Sequence, residues 1–168
     1  MNREHLTAAL DGIDKEYMEV ICGGNRARLL QEAIKKVNGI SNDKLDVITP
    51  PPELLFNAFK ICKFNDLKCV IIGQDPYPKK GDAVGMSFSA PKESGIPVSL
   101  KKIYECLIET GEIEEMPTHP DLTSWAQQGV LLLNMTLTTQ IGVSKAHAAF
   151  WKNYTGNMVR ELSKAAAD

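Results

Sequence analysis

The sequence holds only four cysteines, Cys22, Cys62, Cys69 and Cys106, and no C-x-x-C pair. Its three histidines, His5, His119 and His147, make no metal-ligand spacing with them. A zinc knuckle is thereby excluded, and reduced, mostly buried thiols are expected, with no metal and no cofactor. No apolar run approaches the roughly 18 residues of a membrane helix, and no charged-then-apolar leader opens the chain. The expectation is a protein that neither spans a membrane nor is secreted. It would work in the cytoplasm, or in the nucleus of a eukaryotic or viral host. Excess charge of one sign is lacking too: 19 Lys and Arg face 21 Asp and Glu, for a formal net charge of -2. No global basic field advertises a nucleic-acid partner, so such binding would have to rest on local geometry. Repeats and low-complexity tracts are absent.

What is present is an ordinary globular composition, 43% hydrophobic and 24% charged over 168 residues. A chain of this size buries roughly 70% of its unfolded surface. One domain over residues 1–168 is expected, with a helical part to about residue 48 and an α/β core from about residue 49. Residues 1–24 read as a helix plus a loop. "NRARLLQEAIKKVNGI" puts Leu30, Ala33, Ile34 and Val37 on one helical face, with a stop at Asn38-Gly39. "ITPPPELLFNAFKIC" reads as a helix behind a proline start. "LKCVIIG" and "GVLLLN" read as strands of a parallel sheet, buried on both faces. "VGMSFSA" is a shorter candidate strand. "SLKKIYECLIETG", "DLTSWAQQG" and "HAAFWKNYTGNMVRELSKAAAD" complete the helices. Alternating strands and helices predict an α/β fold, a central parallel sheet flanked by helices on both faces.

In such sheets the ligand site lies off the carboxyl ends of the strands. Gln74-Asp75 and Asn134 both fall there. Asp75 has two readings: a turn aspartate before proline, or a carboxylate fixed between Pro76 and the strand to position a water or face a developing cation. Asn134 is either a satisfied strand end or an amide that reads a planar heterocycle edge by donating and accepting at once. Phe88 is core or a stacking wall. Lys79, Lys80, Lys101 and Lys102 are solvated charges or phosphate contacts. His147 is a helix-entry or core histidine, or a site residue. "GQDPYPKKG" does not satisfy the P-loop pattern.

These motifs in their order resemble the family 1 uracil-DNA glycosylases: "GQDPYP" after an apolar strand, then "GMSFS", "VSLKKIY", "DLTSWAQQGVLLLNMTLT" and "AHAAFW". The likeness runs from about Pro50 to Trp151. It implies hydrolysis of the N-glycosidic bond of a flipped-out deoxyuridine, releasing uracil and leaving an abasic site for base excision repair. By the same resemblance Asp75 orients the hydrolytic water, and Gln74 touches the uracil through its backbone. Tyr77 blocks a thymine methyl, Phe88 stacks on the base and Asn134 reads its edge. Pro97 and Ser99 grip a DNA phosphate, and His147 lies by the DNA backbone. The implied partner is uracil-containing DNA, single- or double-stranded, bound by a monomer; a proteinaceous inhibitor or a replication factor is a further candidate.

The pattern departs from the family in three places. Pro78 follows Tyr77 where many members carry histidine. The proline-rich loop is thin, "GIPVSL". No "HPSP" string occurs in the sequence, so the histidine that stabilises the departing base and the leucine that fills its place have no counterpart here. The expectation is a chain missing its C-terminal strand or strands, with "GVLLLN" left as an exposed apolar edge and uracil release slowed. The alternative is a catalytically weak or inactive relative that binds DNA or a protein partner.

Overall fold

The computed structural model describes residues 1–41 and 45–166. Two helices, α1 (Arg3–Leu10) and α2 (Lys15–Cys22), stand where one helix and a loop were expected. Gly12, at φ +76°, turns the chain between them. Asn2 caps α1 reciprocally: its side chain accepts from the His5 amide, and His5 Nδ1 accepts from the Asn2 amide. α3 (Arg26–Ser41) continues through Asn38-Gly39 rather than stopping there. The Asn38 side chain is committed to residue 1 instead, donating to the Met1 carbonyl at 2.9 Å.

α7 (Ala148–Ala165) packs against α2 and α3. Trp151, Tyr154, Met158 and Leu162 recur at helical spacing and are buried. Tyr154 also donates its hydroxyl to the Ile21 carbonyl, which ties α7 to α2. The last two residues of the helix expected at the C-terminus lie outside the described residues. Among the described residues no helix is long and apolar enough to cross a membrane.

The sheet is small. β2 (Cys69–Gly73) and β3 (Val130–Asn134) pair in parallel, with Gly73 opposite Asn134. β1 (Ile48–Thr49) and β4 (Thr139–Gln140) form a separate antiparallel pair. α4 (Asn57–Ile61) and α6 (Thr123–Gln127) pack on β3, and α5 (Val98–Glu109) follows the loop beyond β2. The architecture is α/β with a partial parallel sheet.

Two strand expectations are corrected. The exposed strand is β2, not "GVLLLN". Leu131, Leu132 and Leu133 are at most 2% exposed, whereas Ile72 is 43% exposed and Cys69 lies at the surface. Both strands are apolar, but apolar sequence reports tolerance of burial, not burial itself. Among the described residues neither strand has a partner strand on its far edge; what differs is the cover, since α4 and α6 pack on β3 and the Ser87 amide donates to the Leu132 carbonyl. Nor is "VGMSFSA" a strand. Its backbone groups go to three different partners: Asn57 Nδ2 donates to the Val84 carbonyl, the Ala58 amide to the Gly85 carbonyl, and the Ser87 amide to the Leu132 carbonyl. Left-handed residues at Gly85 (φ +74°) and Phe88 (φ +64°) break any ladder.

His147 sits at the entry to α7 and is 1% exposed. Its Nδ1 is 2.9 Å from Thr138 Oγ1, which also accepts from Trp151 Nε1 at 2.7 Å, and its ring stacks on Phe150. Burial pushes its pKa below the usual imidazole value, partly offset by the bond to Thr138.

Two predictions follow from this packing. A Cβ at Gly85 would collide with the Leu54 carbonyl and with Asn57 Cβ, while one at Gly81, also at positive φ, meets nothing within 4 Å. Gly81→Ala should therefore cost only about 1–2 kcal/mol of backbone strain, and Gly85→Ala distinctly more, as read by urea melts of the two variants. For His147, the native pKa lies below the unfolded value of about 6.5, so the unfolded chain binds the extra proton first and stability falls as pH drops through that region. The decline in Tm between pH 7.5 and 5.5 should be shallower in His147→Gln than in wild type, whatever the variant's stability at pH 7.5.

Candidate active site

The site begins with strand register. Gly73 faces Asn134 at the carboxyl ends of β2 and β3. A side chain at residue 73 would collide with Asn134 Oδ1 and stand 2.7 Å from Ser87 Cβ, so only glycine lets the asparagine lie across the strand end. Pairing continues past the strands. The Met135 amide donates to the Gly73 carbonyl at 3.0 Å, and the Thr136 amide to the Gln74 carbonyl at 2.9 Å. Gln74 and Asp75 are thereby held against the chain that follows Asn134.

Beyond them a cavity of about 310 Å³ is lined by Gln74, Asp75, Tyr77, Phe88, Ser99 and Asn134, with Ile72, Met86 and Ser144 among the rest. Six of the eight residues to which the resemblance gives a role thus converge on one space. Pro97 stands just outside it as the N-cap of α5, and Ser99 lies exposed in the first turn of that helix. His147 does not stand at the surface. It is a buried group under the neighbouring loop, which corrects its expected place beside a DNA backbone. Of the lysines, Lys79 pairs with Asp82 at 3.4 Å and Lys101 with Glu105 at 3.8 Å.

Tyr77 spans the cavity wall. Its hydroxyl donates to the Phe88 carbonyl at 2.8 Å and lies 3.2 Å from Ser99 Oγ. Because the phenol proton goes to the carbonyl, Ser99 is the donor in the second bond. Burial pushes the Tyr77 pKa up, which keeps that proton in place at neutral pH. The bond also holds Phe88 in its left-handed backbone, a conformation costing about 1–2 kcal/mol for a residue with a Cβ. The aromatic ring is thus aimed by a strained residue that the tyrosine clamps.

Asp75 is held from the opposite side. Its Oδ2 accepts from Ser144 Oγ at 2.8 Å and from the Lys145 amide at 2.7 Å. Sequence reading missed Ser144 and Lys145, which lie about 70 residues further along the chain; no local motif marks them. The signal that could have found them is the short polar turn "GVSKAH" returning from β4 toward the strand ends. Among the described residues no cluster of His, Cys, Asp and Glu could hold a metal ion.

A carboxylate, an amide and two aromatic rings lining one cavity are groups that can bind a small planar heterocycle and activate a water beside it. No protein-family model matches the chain. Curated relatives do. The chain is 43% identical over 130 residues to a uracil-DNA glycosylase of Campylobacter concisus, a match covering 77% of this chain and 56% of that one. It is 39% identical over 153 residues to a uracil-DNA glycosylase of Campylobacter hominis, covering 90% and 64%. Among solved structures, mimivirus UNG Y322F in complex with UGI superposes with a TM-score of 0.83 at 30% identity, covering 96% of this chain and 59% of that one. The UNG of Nitratifractor salsuginis, at 20% identity and a TM-score of 0.59, shares the fold. The chain spans about half to two thirds of the length of the curated relatives it matches. Identity of this size over most of the chain, a common fold and ordered motifs around one cavity identify it, over the stretch they share, as a homologue of the uracil-DNA glycosylases.

Proposed function

We propose that the cavity takes a uracil flipped out of DNA, and that Asp75 directs a water to the sugar carbon from which the base departs. The observation that carries this reading is the convergence of Asp75, Tyr77, Phe88 and Asn134 on a single space of about 310 Å³, at the small end of ligand pockets and with room for one base. A base inside a duplex is out of reach, so the substrate must be extrahelical or single-stranded. Phe88 offers a face for stacking. The Asn134 amide donates to a pyrimidine carbonyl and accepts from the ring N–H, a pairing that cytosine with its exocyclic amine does not match. Tyr77 stands where a thymine methyl would project, and an added group that clashes is costly in a fixed pocket. Ser99 and the first turn of α5 are placed to meet a phosphate, which suits a chain without a basic face.

As the N-glycosidic bond breaks, positive charge builds on the sugar and negative charge on the base. The Asp75 carboxylate stabilises the first and aligns the water that adds to the sugar carbon. Donors to the uracil carbonyls spread the second. Uracil and an abasic site are the products, as base excision repair requires. UGI, seen on the mimivirus neighbour, is the protein partner this surface is expected to share, with the chain acting as a monomer on uracil-containing DNA.

The alternative is a relative that binds DNA with little or no cleavage. The two readings differ in single-turnover uracil release from a single-stranded oligonucleotide. The first expects release that Asp75→Asn slows by roughly 10²–10³, the effect of losing one preorganised electrostatic group. Retention of a uracil oligonucleotide without release would favour the second.

Selectivity gives a separate test. Tyr77→Ala should raise thymine release from a thymine-containing oligonucleotide above wild type, even as uracil release falls. Unchanged discrimination would remove Tyr77 from the selectivity role.

A further inference from the structure

We propose that Ser144 and the Lys145 amide form a positioning clamp on Asp75, fixing one carboxylate oxygen so that the other faces the cavity. The proposal rests on the reading of Asp75 as the residue that directs the water. Both recorded bonds fall on Oδ2, at 2.8 Å from Ser144 Oγ and 2.7 Å from the Lys145 nitrogen. Bonds to an ionised acceptor are short and roughly twice as strong as neutral ones. Two donors converging on one oxygen stop rotation about the bond to the carboxylate carbon, which a single donor would not. Oδ1 is then left to accept from a water.

The clamp is built rather than incidental. Lys145 holds φ +62°, a left-handed conformation unfavourable for a residue with a Cβ, and that turn is what aims its amide at Asp75. The turn is pinned at several points. Thr139 Oγ1 donates to the Val143 carbonyl at 2.6 Å and accepts from the Ala146 amide at 3.2 Å. The Gly142 amide donates to the Pro78 carbonyl at 2.8 Å, so the turn is tied to the Asp75 loop itself. Behind it lies the buried Trp151–Thr138–His147 chain of hydrogen bonds. The clamp itself is exposed at Ser144 and Lys145. Water competes with an exposed hydrogen bond, so its geometry has to be imposed by the anchors beneath.

A serine that only fills space would be replaceable by alanine. A positioning serine affects the chemical step and spares binding. Ser144→Ala should therefore lower the single-turnover rate constant for uracil release on the order of tenfold, since small misplacements of a reacting group are costly. The oligonucleotide concentration at half-maximal rate should stay within about twofold of wild type. Ser144→Thr, which keeps the hydroxyl, should recover most of the rate. A rate for Ser144→Ala within about twofold of wild type, or a Ser144→Thr variant as slow as Ser144→Ala, would overturn the proposal.

A second readout does not depend on catalysis. In ¹⁵N-labelled protein the Lys145 amide proton should resonate downfield and exchange slowly for an exposed residue, and Asp75→Ala, which removes the acceptor, should abolish both features. A Lys145 amide indifferent to Asp75→Ala would overturn the clamp. Should the wild-type chain release no uracil, the glycosylase reading fails, and the amide measurement alone decides whether the clamp exists.

Discussion

Everything at the site depends on the parallel pairing of β2 with β3 in one register. That register sets Gly73 opposite Asn134 and lets the ladder run two residues past the strand ends, through Met135 and Thr136. Side chains alternate along a strand, so a slip of one residue would turn Asn134 to the opposite face and put a different residue against residue 73. The missing Cβ at Gly73 is the local expression of that constraint: it leaves the space that the Asn134 amide occupies. From there the Asp75 loop, the Phe88 turn and the first turn of α5 are arranged around a common centre.

The site is also where the chain accepts strain. The two non-glycine residues found at positive φ among those described are Phe88, which lines the cavity, and Lys145, which follows the lining residue Ser144. Each is held by a bond to a residue of the "GQDPYP" loop: Tyr77 donates to the Phe88 carbonyl, and the Lys145 amide donates to Asp75. Backbone conformations of this kind persist only where their surroundings over-determine them. The loop after β2 therefore carries the proposed catalytic Asp75 and is also the strut that supports its neighbours.

How much of this was legible beforehand follows from the range of the interactions. The strand ends, the convergence of Asp75 with Asn134 and the helical face of α3 come from local periodicity and from where polar residues interrupt apolar runs. The irregular path of 84–90 was not legible. Its hydrogen bonds go to α4 and β3, and no short-range pattern encodes those partners. The exposure of β2 was missed for a similar reason: "LKCVIIG" and "GVLLLN" look alike, and only their neighbours in space tell them apart. The resemblance puts His147 by the DNA backbone, whereas it is buried, bonded to Thr138, which also accepts from Trp151. The bonds from Ser144 and Lys145 to Asp75 span about 70 residues, beyond any motif.

The central claim is that side chains from two strand ends and two strained turns make one pocket that reads a uracil and rejects its methylated form. The most direct measurement is an NMR titration of the labelled protein with free uracil and, separately, with free thymine, following the Asn134 side-chain amide and the backbone amides of residues 74–77 and 88. The account predicts that uracil shifts the Asn134 amide together with the backbone signals of both loops, and that thymine leaves them in place. Signals that ignore uracil, or that respond to the two bases alike, would contradict it.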